Sequence, residues 1–315
     1  MNGLSLARDY YAACRPILLQ AIPDIMERAA VGLAGEGSEC LGCDDACSRD
    51  HDFGPAFCLW LPRAELRDAR ERIDAALARL PREFHGLTSR FAPEGRRDPA
   101  NGRVGPLAIE DFYVFFTGLD RPPSHWREWL RIPEYQLAAC TSGEVFEDGA
   151  GEFSRWREAL LACYPRDVRL KKLAARCMVA AQAGQYNLPR SLERGDGVAA
   201  MLAAAHFAEA ALSLVFLCNR RYMPFYKWAG RLGRRLPILG EELGRTLDIL
   251  AAHPLRGPRD MDAVRTVEDF CAAVAAHLRA VGLSTEEDSW LWAHGPHILR
   301  QVENEELRRM DMLQG

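Results

Sequence analysis

Hydrophobic positions are spaced differently in the two halves of this chain. In the first half the apolar stretches are short: Ala30–Ala34, Phe57–Leu61 and Tyr113–Phe116. Apolar runs of that length, bounded by turn formers, read as buried strands. Two stretches there carry helical periodicity instead, Ser5–Ile22 and Pro62–Leu80. In the second of them Leu66, Ile73, Leu77 and Leu80 share one side. Residues 91–106, FAPEGRRDPANGRVGP, keep neither period and read as a polar, turn-rich loop. After about residue 154 the pattern becomes helical throughout, over Ser154–Cys163, Asp167–Ala183, Gly197–Asn219, Pro224–Arg235, Ile238–Ala252, Thr266–Val281 and Ser284–Met312. Ser154, Asp167 and Ser284 stand at cap positions. The pattern predicts an α+β protein: a mixed sheet with flanking helices over 1–153, followed by an all-helical bundle over 154–315.

Composition sharpens this picture in three places. A length of 315 residues suits two domains, and 48% hydrophobic with 27% charged residues excludes wholesale disorder. The formal net charge of −4 argues against duplex DNA as a partner. The window Ala199–Cys218 is long enough to span a bilayer, but His206 and Glu209 interrupt it. It is expected to be a buried helix holding those two as a buried polar pair, with no membrane partner. Arg8 and Asp9 fall where a secretory signal would be apolar. The expected location is cytoplasmic, with the ten cysteines reduced.

The chemistry concentrates in Gly35–Trp60, GEGSECLGCDDACSRDHDFGPAFCLW. It opens on a Gly-rich turn in which Gly37 lets a backbone approach a phosphate and Ser38 offers a hydroxyl. The eleven residues 39–49 separate Ser38 from Asp50-His51-Asp52. In a strand, Asp50 and Asp52 would point to one face, a spacing that hard divalent ions accept. A thiolate reading competes: Cys40, Cys43 and Cys47, with Cys58 further on, suggest a zinc or iron–sulfur site, though not as matched CxxC knuckles. Asp44 and Asp45 read as an acidic surface turn. His294 and His297, with Gly295-Pro296 between them, read as structural.

Gly37-Ser38, the spacer and Asp50-x-Asp52 resemble the signature of the polymerase-β-type nucleotidyltransferase superfamily. The longer string GEGSEC…DD…SRDHDFGPAFCLWL resembles a bacterial branch in which a nucleotidyltransferase-like domain precedes a helical domain, DUF4037. YPRDVRLKKLA (164–174), AGQYNLPR (183–190), ERGD (193–196) and NRRYMPFYKW (219–228) extend that likeness. Gly143–Asp148 resembles the late strand of the superfamily's sugar-modifying members. The resemblance implies Mg²⁺ on Asp50 and Asp52, with Gly37 and Ser38 holding the phosphates of a nucleoside triphosphate, ATP foremost. An acceptor hydroxyl (on a small molecule, a protein or an RNA end) would attack the α-phosphate, with pyrophosphate leaving.

The chain departs from that pattern at the third carboxylate. Ala108 occupies its expected place on the strand near Leu107–Ile109, and Glu110 is the acid in phase with it. Pro55 donates no ladder hydrogen bond, so the strand after Asp52 is expected to be short, bulged or at an edge. A non-catalytic nucleotide sensor or partner-binding module is the alternative. In the helical half, Lys171 and Lys227 are the expected phosphate contacts, and Tyr186 offers a ring for a base. The substrate is expected in a cleft between the two domains.

Overall fold

The computed structural model describes residues 2–49, 53–91, 103–252, 255, 257 and 261–315. The chain divides into two compact units, 1–123 with 136–162, and 124–135 with 163–315.

In the first unit α1 (Gly3–Ala21) starts at Asn2, whose side chain accepts from the Ser5 N–H at 2.8 Å. A short helix α2 (Pro23–Met26) leads into β1 (Ala30–Leu33). Next come β2 (Cys58–Leu61), α3 (Arg63–Leu77), a two-residue hairpin pair β3 (Glu83–Phe84) and β4 (Leu87–Thr88), β5 (Gly105–Ala108) and α4 (Ile109–Thr117). Helix α5 (Trp126–Arg131) and the first two residues of α6 (Glu134–Thr141) belong to the second unit, and the rest of α6, β6 (Glu144–Asp148) and α7 (Glu152–Leu161) to the first. The main sheet is mixed, in the order β5-β2-β1-β6. β1 is antiparallel to β2 and β6, while β2 and β5 are parallel.

β2 is central and buried on both faces, so its sequence is a continuous apolar run without alternation. Leu59 and Leu61 join the core made with Tyr10, Tyr11 and Leu18 of α1 and Ile73 and Leu77 of α3. Trp60 belongs to the other face, stacked on Phe153 of α7 at 4.0 Å and edge-on to Phe112 of α4. Pro55 lies ahead of β2. Its carbonyl accepts from the Arg90 N–H, so the central strand loses no ladder bond to it.

Tyr113–Phe116, expected as a strand, is helix. Phe112, Tyr113 and Phe116 are buried while Val114 and Phe115 are exposed, the spacing of a helical face. Gly118, at φ 71°, ends that helix in the left-handed conformation. Ser154 is not the cap of α7. Asp148 takes that part, accepting from the Gly151 and Ser154 N–H groups at 2.9 and 2.8 Å.

The second unit is helical: α8 (Arg166–Ala180), a π-helical turn (Ala181–Asn187), α9 (Leu188–Glu193), α10 (Gly197–Cys218), α11 (Tyr226–Gly233), α12 (Gly240–Ala252), α13 (Met261–Ala280), α14 (Leu291–Leu299) and α15 (Glu305–Arg309). Ser284–Met312 is therefore two short helices, not one. Helix α10 is long and apolar enough to cross a membrane, yet most of that window is buried inside the unit. Its small residues, Ala200, Ala203, Ala204, Ala210 and Ala211, let α8 and the π turn pack closely. His206 and Glu209 lie on its exposed face and are not a buried pair.

A buried polar network ties this unit together. The Glu134 carboxylate lies 3.3 Å from Lys172 Nζ and 3.4 Å from Arg176, and accepts from the Ser213 hydroxyl at 2.9 Å. Glu134 and Lys172 are both almost fully buried. Burial pulls the Lys172 ammonium below its ordinary pKa, and the Glu134 charge opposes that.

Candidate functional site

Strand directions decide what converges. β1 ends where β2, β5 and β6 begin: Gly32 pairs with Cys58, Cys58 with Gly105, and Leu33 with Glu144. The segments after Leu33 and before Cys58, Gly105 and Glu144 therefore meet at one edge of the sheet. The Gly-Ser turn and the chain entering β2 share that edge.

The turn itself is held from its flanks. The Ser142 hydroxyl donates to the Gly35 carbonyl at 2.8 Å, and the Gly143 N–H donates to the Cys40 carbonyl at 2.8 Å. Gly143 sits at φ 71° against β1, where a Cβ would lie 2.0 Å from the Leu33 oxygen. Only glycine fits there. The Ser38 carbonyl accepts from Leu41 and Cys43. By contrast, among the described residues no acceptor takes the main-chain N–H groups of Gly37, Ser38 and Glu39, and the Ser38 hydroxyl has no partner. Gly37 has φ +141°, and the Glu39 carboxylate lies across the place its Cβ would occupy, at 2.7 Å.

Three arginines gather around this edge. Arg157 of α7 donates to the carbonyls of Thr141 and Gly143 at 2.6 and 3.0 Å, capping the end of α6 and bracing the turn that holds Gly35 and Cys40. Arg103 pairs with Glu36 at 3.1 Å. Arg90 is fixed beside Gly54 and Pro55 through its own N–H. Burial pushes the Cys58 thiol up to about 12, with the Arg90 charge opposing. Burial likewise raises Cys40, against Arg103 and Arg157. Burial favours the protonated form of both thiols. Cys43 is buried and Cys47 exposed, and among the described residues no three His, Cys, Asp or Glu side chains gather to hold a metal.

The site residues expected from the sequence fare differently. Gly37 and Ser38 lie at the convergent edge. Asp50 and Asp52 lie outside the described residues. Glu110 lies at the opposite edge, where β2 and β5 end, and accepts from the Arg63 N–H at 2.8 Å. That carboxylate serves the first turn of α3. Lys171 is in the second unit, fully buried, its ammonium donating to the carbonyls of Met310 and Asp311 at 3.2 and 2.6 Å. It is not a surface phosphate contact. Tyr186 is half-exposed beneath the Arg190 guanidinium, 3.8 Å from its ring centroid, and accepts from that group at 2.5 Å. Lys227 is exposed beside the Trp228 ring. Asp44 and Asp45 have local work: Asp44 accepts from the Gly3 N–H at 2.8 Å, and Asp45 from Cys47 and Ser48. His294 is buried with Nε2 donating to the Asp288 carbonyl, and His297 meets Thr285.

Residues 129–229 carry a DUF4037 domain, a domain of unknown function. The match runs from Trp129 in α5 to Ala229 in α11 and leaves out the Gly-Ser turn. No curated protein and no solved structure matches the chain.

Arg90, Arg103 and Arg157 were missed by the sequence reading. Arg90 and Arg103 had a weak signal, since Arg90 immediately precedes the turn-rich stretch 91–106 and Arg103 lies within it. Arg157 had none, because its carbonyl partners lie on another element.

Proposed function

We propose that the first unit binds a nucleoside triphosphate at the Gly35–Cys40 turn and transfers its nucleotidyl group to an acceptor hydroxyl. One observation carries the reading: among the described residues the N–H groups of Gly37, Ser38 and Glu39 and the Ser38 hydroxyl have no partner, at an edge flanked by three arginines. Main-chain N–H groups without an acceptor, beside guanidinium charges, suit phosphate oxygens. The resemblance to polymerase-β-type nucleotidyltransferases points the same way, and the fold assignment to that superfamily is part of this proposal.

The described donors alone do not make a divalent-cation site, so Mg²⁺ would depend on Asp50 and Asp52. When bound, the ion would neutralise phosphate charge. The chain's own contribution is positional. Gly37 and Ser38 would orient the phosphates, while Arg90 and Arg103 would offset the charge that pyrophosphate carries away.

A non-catalytic nucleotide sensor is the second reading. It is favoured by Ala108 and by the commitment of Glu110 to α3, which leave no carboxylate at the place on β5 where the resemblance expects the third one. Incubation with α-labelled ATP, Mg²⁺ and a library of small-molecule, protein and RNA acceptors separates the two. Label transfer that disappears in Asp50→Ala and Asp52→Ala supports transfer. Tight ATP binding with no transfer supports the sensor, and the absence of nucleotide binding sinks both.

A further inference from the structure

The second unit has a surface that the nucleotide reading does not use. Segment 219–235, NRRYMPFYKWAGRLGRR, holds Arg220, Arg221, Lys227, Arg231, Arg234 and Arg235 and no acid, in a chain of net charge −4. Arg234 pairs with Asp248 at 2.9 Å. Among the described residues, Arg221, Lys227 and Arg235 have no carboxylate within ion-pair distance. All three are exposed.

Large rings stand among these charges. Tyr226 is 77% exposed, more than any other large apolar or aromatic side chain described, and Phe225 is 47% exposed. Their centroids are 4.3 Å apart, and Phe225 also meets Tyr135, 40% exposed, at 5.9 Å. Phe225 is the residue ahead of α11, with extended backbone and no side-chain cap bond. Folding gains nothing from leaving three contacting rings in water, and such a cluster marks a binding surface.

We propose that Tyr135, Phe225 and Tyr226, with Arg221 and Lys227, bind single-stranded nucleic acid. Bases would stack on the rings while the phosphates meet the cations. A duplex hides its base faces, so it could use only the cations. No aliphatic side chain of 219–235 is exposed, so the surface offers rings and cations, the pair that stacked bases and phosphates use. This inference stands apart from the nucleotide site of the first unit.

The test is fluorescence anisotropy with the full chain and labelled single strands of about 20 nucleotides, RNA and DNA of one sequence, at about 50 mM salt. Matching duplexes and phosphatidylserine vesicles complete the set. The expected result is micromolar binding of a single strand that weakens as salt rises. Tyr226→Ala should cost roughly ten-fold, within the range for loss of one stacked base. The double variant Arg221→Glu/Lys227→Glu should cost at least as much and flatten the salt dependence. A preference for RNA or for DNA identifies the natural sugar, and either supports the proposal. Equal duplex binding, binding to vesicles alone, or wild-type affinity in both Tyr226→Ala and Phe225→Ala overturns it. These side chains are exposed, so unchanged thermal melting of the variants shows that any loss belongs to the surface.

Discussion

Replacing Arg157 by methionine should loosen the Gly-Ser turn without touching it. The guanidinium donates to the carbonyls of Thr141 at 2.6 Å and Gly143 at 3.0 Å, with a longer contact to Ser142 at 3.4 Å. Hydrogen bonds from a charged donor contribute about 1.5–3 kcal/mol each when buried. Arg157 is only partly buried, so two such bonds suggest a loss of about 2–4 kcal/mol in the first unit. Methionine keeps most of the side-chain volume and leaves the C-terminal carbonyls of α6 unpaired. Arg157→Lys keeps the charge but loses the fork, and should recover about half of the loss. Urea denaturation gives the stability change. Hydrogen exchange at the Gly143 amide, which donates to Cys40, reports whether the turn itself has loosened. A methionine variant within about 0.5 kcal/mol of wild type, with Gly143 equally protected, would refute the bracing argument.

Glu39→Gln should raise affinity for ATP several-fold in calorimetry, because it removes a carboxylate lying across Gly37; unchanged or weaker binding would place the phosphates elsewhere. Glu134→Ala should cost the second unit about 3–5 kcal/mol in urea denaturation, since it strands Lys172 and Arg176 without their carboxylate; a loss under about 1 kcal/mol contradicts the network. Burial holds His294 below its ordinary pKa of 6.5, so the unfolded chain binds a proton that the folded one refuses. Stability should therefore fall as pH drops through about 6.5, by up to about 1.4 kcal/mol per pH unit, and His294→Gln should shrink that slope. An identical slope in the variant contradicts it.

The sequence was most readable where one face or both faces of an element are buried. The run Phe57–Leu61 announced β2 because a central strand covered on both sides has no polar positions. Pro62–Leu80 announced α3 because its other side is solvated. Tyr113–Phe116 misled for a physical reason: four aromatic and β-branched residues satisfy strand length, and only Gly118 and the unequal burial of neighbours reveal the helix. Lys171 was expected to meet phosphate, beside Lys172 on the same helix. Helix α8 is buried on nearly every side, however, and their partners are carbonyls at 310–311 and a carboxylate 38 positions upstream, 172 − 134. The tight turn at Gly37 was legible because a glycine-rich stretch that takes up positive φ is a local property. Its arginine surroundings were not, because Arg90, Arg103 and Arg157 reach that edge only through strand pairing and a turn.

The most direct measurement is a titration of a non-hydrolysable ATP analogue and Mg²⁺ into isotopically labelled protein, followed by amide chemical shifts. The main-chain N–H groups of Gly37, Ser38 and Glu39 should move first and most, with the Arg103 side chain following, and Ser38→Ala should weaken the response. Saturation with those three amides unmoved, or shifts confined to the helical unit, would contradict the account.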